Sequence, residues 1–491
     1  MICGIITLLT LISLIIFIIF KPTINIKISS KNISIQSFWV ISLIGALCLL
    51  IFNQISTNGI KTLLDFKSAM NPFKILILFI SISLLSIVLE SAGFFELCAS
   101  FVLRKVKKSQ MKLFISLFVL VSILTMFTSN DIIILTFTPF ICYFTSKKKI
   151  SPIPYLVAEF VAANTLSLTF IIGNPTNIYL ATYYNLSFFE YFKVMVIPTI
   201  CLSLVGFLMV FLLFKKQLKE PIMNDEIVEN EHSTNKFLII TGLVHLILCT
   251  IILVISSYIG FEMWYICLAF AVSITIFVLI YDIVKKEKYL LTIYKHAPYS
   301  LIPFVISMFL IVVSLKENGV LEVISNILVK ATNNNNFVET IIYGFSSFFA
   351  CSLINNIPMS VAFASILEIG HNSYFALYSV IIGSNIGAIL SPMGALAGIM
   401  WIGYLKKHNV KYTFSTFIKN GIIISIPVMF MALIVLYVIL IWTETFGCFS
   451  FSFKLLYFYL IFWYNKLIKT RVIVWKDLQN KIITFVPLIH I

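Results

Sequence analysis

Ser129-Asn130-Asp131, Asn164 and Gly173-Asn174-Pro175-Thr176-Asn177 interrupt long apolar runs in the first half of the chain. Asn355-Asn356-Ile357-Pro358, Asn385 and Ser391-Pro392-Met393-Gly394 interrupt the second half in the same order. The register is kept at three landmarks. Gly93 and Gly319 are 226 positions apart, Asn130 and Asn355 are 225 apart, and Asn164 and Asn385 are 221 apart. Around the first landmark, Leu89-Glu90-Ser91-Ala92-Gly93 matches Leu315-Lys316-Glu317-Asn318-Gly319. In both halves nine positions separate the asparagine from the glycine, Asn164 to Gly173 and Asn385 to Gly394. A duplicated apolar unit with helix-breaking polar motifs is the pattern of a secondary membrane transporter.

Working outward, the 491 residues are 60% hydrophobic and 11% charged, with mean hydropathy +1.04. Many runs approach the roughly 20 apolar residues that cross a bilayer. Residues 1–20 form one such run without a charge, a basic leader or a small-x-small cleavage site, so they read as a retained first helix. Lys and Arg gather in short loops. With the N-terminus outside, 23 fall in inside loops and 6 in outside loops, the asymmetry that orients membrane proteins. The net charge of +15 is therefore topological, and no nucleic-acid partner is expected. Abundant Lys, Ile, Asn and Phe point to a low-GC bacterium, hence to its inner membrane.

The expected fold is an all-α polytopic membrane protein with two inverted repeats. Each repeat carries a re-entrant hairpin (112–146 and 338–369) and a broken transmembrane helix. An odd number of crossings in the first copy inverts the second. The division is an N-terminal helix and loop (1–37), a first repeat (38–214), a cytoplasmic linker (215–236), a second repeat (237–441) and a tail (442–491). The tail holds an apolar run at 447–464 that is expected to lie outside the transport core, since neither helix break needs it.

A helix broken at membrane depth frees N–H groups at one half and carbonyls at the other. Such ends attract anions and cations respectively, and irregular backbone is tolerated there only beside protein or a watery cavity. Four breaks in repeat register are expected to meet in one small polar site. Its candidate substrate- or ion-binding residues are Ser129, Asn130, Asp131, Asn164, Gly173, Asn174, Thr176, Asn177, Asn355, Asn356, Asn385, Ser391 and Gly394. The amides and hydroxyls donate and accept. The glycines allow close approach, and Pro175, Pro358 and Pro392 enforce the interruptions.

Asp131 is a carboxylate at membrane depth, usually a functional feature. It reads either as a ligand for Na+ or H+ or as a cap of the following helix. Glu159, inside the run before Asn164, is a second candidate for a proton pathway, with a salt bridge or interfacial place as the alternative. His245 reads as a satisfied core histidine. The nine cysteines show no C-x-x-C pair, so no metal site is expected. No phosphate loop or nucleophile elbow suggests an enzyme, and no cofactor is expected beyond Na+ or H+ as coupling ion.

At these residues the chain resembles the ion transporter superfamily, in its arsenite-permease and Na+/H+-antiporter branch. Asn130-Asp131 through Thr138-Pro139 matches N-D-x-x-x-L-x-x-T-P, and Gly173 to Asn177 matches G-N-P-x-N. Asn355 to Pro358 matches N-N-x-P, and Gly383-Ser384-Asn385-Ile386-Gly387 with Ser391-Pro392-Met393-Gly394 matches the second-half motif. The resemblance covers roughly 38–441. It implies inverted repeats, a midplane site at the hairpin tips, and exchange by alternating access. It implies a small inorganic ion as substrate, with arsenite or antimonite efflux foremost. Na+/H+ antiport and cation-coupled symport of anions or dicarboxylates such as citrate remain alternatives. Asp131 would repel a polyanion. Besides the lipid bilayer, a homodimer and a pump ATPase are the partners left open.

Overall fold

The computed structural model describes residues 2–446 except 22, 29–30, 67, 69–70, 106–108, 223–233, 260 and 371–372. Half of the predicted linker (223–233) and the run at 447–464 lie outside the described residues. Of the compact unit 439–491, residues 439–446 are described, as the last turns of a helix.

The first half comprises α1 (Ile2–Phe20), α2 (Ser37–Ile51), α3 (Thr57–Leu64), α4 (Pro72–Ser91), α5 (Phe94–Lys105), α6 (Gln110–Phe127), α7 (Asn130–Lys148), α8 (Ile153–Leu166), α9 (Pro175–Tyr183) and α10 (Phe188–Leu218). The second comprises α11 (Lys236–Ile259), α12 (Met263–Lys285), α13 (Tyr289–His296), α14 (Leu301–Glu317), α15 (Val320–Thr332), α16 (Asn336–Ile354), α17 (Asn356–Gly370), α18 (Tyr374–Leu390), α19 (Leu396–Lys407) and α20 (Phe414–Phe446). The ten helices of each half match one for one in order. A single 3-10 turn separates α8 from α9 (Ile171–Gly173) and α18 from α19 (Pro392–Gly394). The closing helices α10 and α20 have 31 and 33 residues, and each contains a proline, Pro198 or Pro427.

Eight helical stretches among the described residues are long and apolar enough to cross a bilayer. Burial sorts the helices into layers. Pro154–Leu166 of α8 and Phe375–Leu390 of α18 are buried at every position. By contrast, α11 exposes Ile240, Val244, Ile247 and Ile251. That spacing places them on one helical face, where only lipid solvates them. The fully buried pair at the centre is the pair that carries Asn164 and Asn385.

Several elements differ from the sequence expectation. The stretch 21–37 contains an antiparallel hairpin, β1 (Thr23–Ile28) with β2 (Lys31–Gln36). Alternating Ile residues (24, 26, 33, 35) supply the period of two that strands require. The short helices α3, α5, α13 and α15 were not predicted, being too short for a hydropathy window. The arms α6, α7 and α16 have 18, 19 and 19 residues and run two residues past the expected hairpin bounds, to Gln110, Lys148 and Asn336. α6 and α16 both rank among the eight potential spans.

Candidate functional site

Each break is made by a short run of non-helical dihedrals. Between α6 and α7 the chain is extended at Thr128 and Ser129. Between α16 and α17 one residue suffices, Asn355, at φ 81 and ψ 151. Between α8 and α9 the chain is extended at Asn174 (φ −149, ψ 140), whose side chain caps α9 while Pro175 takes the first helical position. That position needs no N–H, so proline costs nothing there. Between α18 and α19 the extended residues are Ser391 and Ala395.

Asn385 bonds the α8–α9 break directly, and the α6–α7 and α16–α17 breaks join the network through Asn164 and Asn174. Asn385 Oδ1 accepts from Ser167 Oγ (3.1 Å) and Asn174 Nδ2 (2.8 Å), and its Nδ2 donates to Asn177 Oδ1 (2.8 Å) and the Ile381 carbonyl (3.0 Å). Asn174 Oδ1 in turn accepts from the Thr176 N–H and hydroxyl, both at 3.1 Å, and from Asn356 Nδ2 at 3.5 Å. The Thr176 and Ser384 hydroxyls are 3.0 Å apart. Asn177 Nδ2 donates to the Ser167 carbonyl at 2.9 Å. The remaining candidates connect at the edges. Ser167 Oγ also reaches the Asn164 carbonyl (3.3 Å), and Asn164 Oδ1 accepts from Asn130 Nδ2 (3.2 Å). Asn355 Nδ2 donates to the Met393 carbonyl (3.1 Å), and Ser391 Oγ accepts from the Met393 N–H (3.2 Å). All of these asparagines are at most 4% exposed. Buried amides of this kind hold one arrangement because each lost partner strands a desolvated group, at about 1–3 kcal/mol.

The glycines have the same job in both halves. A Cβ on Gly173 would collide with the backbone of Ser167, and one on Gly394 with the backbone of Ala388. Ser167 and Ala388 are 221 positions apart, the offset of the asparagines. Each glycine therefore lets a 3-10 turn fold back against the end of its own helix.

Asp131 is not the cap of α7. The N-cap is Ser129, which makes no side-chain capping bond, and the Ser129 hydroxyl is buried without a partner. Asp131 lies in the first turn, and its carboxylate faces the backbone N–H of Ala397 at the start of α19. It thus meets the positive end of a half-helix from the other half of the chain. Glu159 is 1% exposed and accepts from Thr138 Oγ1 at 3.1 and 3.2 Å. Thr138 belongs to the Thr-Pro motif, whose hydroxyl had no assigned role in the sequence. His245 bonds the Thr241 carbonyl (2.8 Å) and Ser273 Oγ (3.1 Å), as a satisfied core histidine. Ser167, Ser384 and Thr138 were missed as site residues. Their signal was position, since each lies within three residues of a motif asparagine or on the same helix face as one. Among the described residues no group of three or more His, Cys, Asp or Glu could hold a metal ion.

A buried polar cluster at crossed helix breaks, inside apolar spanning helices, defines a multi-pass membrane transporter. The chain belongs to the citrate transporter family (CitMHS), whose family model matches residues 15–377. It is 25% identical over 369 residues to the arsenical pump membrane protein of Escherichia coli K12, covering 72% of this chain and 84% of that one. It is 24% identical over 366 residues to a putative arsenical pump membrane protein of Bacillus subtilis, covering 70% and 82%. The fold is similar to that of the Alcanivorax borkumensis YdaH transporter, with TM-score 0.57 and 13% identity over 91% of this chain and 98% of that one.

Proposed function

We propose that the protein is a secondary active permease exporting arsenite and antimonite. The observation that carries this reading is the chemistry of the cluster. Its hydrogen-bonding members around Asn385 are amides, hydroxyls and carbonyls, all uncharged. Arsenite at neutral pH is an uncharged trihydroxide, and such a solute exchanges hydroxyl bonds with amides without needing a counter-charge. Citrate would bring several negative charges to a site whose charged neighbour is the carboxylate Asp131, an arrangement that costs several kcal/mol at low dielectric.

In this reading the two halves are inverted repeats with re-entrant α6–α7 and α16–α17 hairpins, rocking about the cluster. Ser129, Asn130, Asn164, Gly173, Asn174, Thr176, Asn177, Asn355, Asn356, Asn385, Ser391 and Gly394 form the binding site. Asp131 takes H+ or Na+ as coupling ion, and Glu159 relays protons along α7 and α8. A pump ATPase is proposed as a partner, and a homodimer is the expected assembly in a bacterial inner membrane.

The test is accumulation of radiolabelled arsenite by everted membrane vesicles, beside resistance of the expressing cells. Uptake of arsenite and antimonite with exclusion of citrate is expected. Ion-driven citrate uptake without arsenite uptake would replace this reading by a citrate-type symporter. The family's citrate transporter description favours that second reading.

A further inference from the structure

The amide cluster has an outlet that the site itself does not explain. From Thr176, α9 runs through Tyr179 to Tyr183. From Asn356, α17 runs beside it through Ser360 to Glu368. Between the two lies a cavity walled by Thr176, Tyr179, Ile357, Ser360, Phe79 and Phe309. Its free volume is about 20 Å³, room for one water and too small for a trihydroxide. Tyr179 and Ser360 are 3% and 0% exposed, and neither hydroxyl has a hydrogen-bond partner. Two orphaned hydroxyls on one small cavity are unexpected in a settled core.

Above the cavity the passage is shut. The Tyr179 and Tyr183 rings are 5.8 Å apart, and those of Tyr183 and Tyr184 are 5.3 Å apart. Tyr184 donates to the Ala364 carbonyl at 2.9 Å. Tyr183 donates to Glu368 Oε2 at 2.8 Å, and Lys316 Nζ reaches the same oxygen at 2.5 Å. Glu368 thus ties the end of α9 to the ends of α14 and α17. At the opposite end of the duplication Lys316 and Tyr183 correspond to Glu90 and Tyr404 by the offsets of 226 and 221. Neither Glu90 nor Tyr404 is a cation, so the duplication does not repeat Lys316 at that place.

We propose that the cavity between α9 and α17 is a transit subsite for a hydroxylated solute, with Tyr179 and Ser360 as its hydroxyl ligands and Tyr183, Glu368 and Lys316 as its gate. The solute class rests on the proposed function above; the gate does not. Opening separates α9 from α17, which widens the cavity and exposes it to the face carrying Lys316.

The test uses the full chain in membranes with Val361→Cys, a cavity-wall position, as reporter. Modification by a membrane-impermeant maleimide is compared with the same chain lacking that substitution. Glu368→Gln weakens the contacts of both Lys316 and Tyr183. It is expected to speed modification roughly three- to tenfold, from the Lys316 face alone. Lys316→Glu alone should behave alike, and Lys316→Glu with Glu368→Lys should restore slow modification. That pair carries the comparison should Glu368→Gln not reach the membrane. Rates unaffected by any of these changes, or modification from the opposite face, would overturn the gate. Tyr179→Phe with Ser360→Ala is expected to lower arsenite turnover about fivefold at unchanged KM, and unchanged turnover overturns the hydroxyl ligands. The maleimide arm needs no substrate, so it stands or falls separately from the metalloid reading.

Discussion

The tips of the α6–α7 and α16–α17 pairs occupy equivalent places and differ by one charge. In each tip the first asparagine bonds within its own half, Asn130 to Asn164 and Asn355 to the Met393 carbonyl. In each the next residue reaches into the other half, to the start of the corresponding half-helix. Asp131 faces the Ala397 N–H of α19, and Asn356 reaches Asn174, the cap of α9. The bracing is symmetric while the chemistry is not. An anion meets a helix dipole at one tip, and an amide meets an amide at the other. A duplicated frame can therefore keep its geometry while one copy carries a charge and the other does not.

Removing that charge is the largest test. Asp131→Asn makes the two tips alike and is expected to lower ion-driven transport about hundredfold, as loss of a charge-assisted contact of 2–3 kcal/mol implies. Solute exchange without a gradient should survive. Vesicle uptake with and without an imposed pH or Na+ gradient separates the two. Full coupling in Asp131→Asn would show the charge difference between the tips to be incidental.

Gly173→Ala and Gly394→Ala compare the two turns next. Both added methyl groups meet backbone, and overpacking costs typically 1–3 kcal/mol. At Gly173 the obstructed atom is the Ser167 carbonyl oxygen, which also accepts from Asn177. At Gly394 the nearest atoms are Ala388 Cα (2.6 Å) and Gly387 O (2.8 Å). Thermal unfolding in detergent should place Gly173→Ala below Gly394→Ala by about 1 kcal/mol, one hydrogen bond. Equal losses would mean that the Asn177 bond is not strained by the shift.

The duplication, its four interruptions and its polar residues were legible because they depend on chain order. A periodic apolar background makes each Asn, Pro and Gly visible, and the offsets near 225 pair them. Which residues touch across the halves was not legible. Asn385 gathers Ser167, Asn174 and Asn177 from more than 200 positions away, and no spacing encodes that. Asp131 was read as a ligand for Na+ or H+ or as a cap; the cap reading came from local spacing, whereas its partner Ala397 is distant. The hairpin β1–β2 escaped for another reason: its alternating isoleucines are too few to stand out in a chain rich in isoleucine.

Asn355→Gly probes the backbone difference between the tips. Asn355 holds φ 81 and ψ 151, a region that costs residues other than glycine about 1–3 kcal/mol. Glycine removes that cost and also removes the bonds to the Met393 carbonyl and the Ile357 N–H (3.1 and 3.3 Å), worth about 1 kcal/mol each. The two changes nearly cancel, so stability should move by less than about 1 kcal/mol. Ser129→Gly, where the backbone is already extended, has no strain to release and should only destabilise. A large loss in Asn355→Gly would mean that the tip is held by its side chain rather than limited by its backbone.

The smallest effect is expected at a contact between the halves that avoids both tips. Lys74 of α4 meets Glu262, the residue before α12, at 2.7 Å, and Glu262 also accepts from Trp264 Nε1 at 2.9 Å. The Lys74 side chain is 10% exposed and that of Glu262 49%. Water screens the half-exposed carboxylate, so the pair contributes at most about 1 kcal/mol. Position 300, equivalent to Lys74 by the 226 offset, is Ser300, and the tie has no counterpart in the second half. Glu262→Gln keeps a hydrogen-bond acceptor and leaves Lys74 less well paired, so unfolding should shift by under about 1 kcal/mol. Adding Lys74→Met removes the partly buried charge and should recover that loss, because an apolar side chain suits the site as well as an ion pair. Transport should stay unchanged in both variants once protein amounts are matched. Should Glu262→Gln impair coupling as Asp131→Asn does, inter-half ties in general would carry the mechanism, and the charge at the first tip would lose its special place.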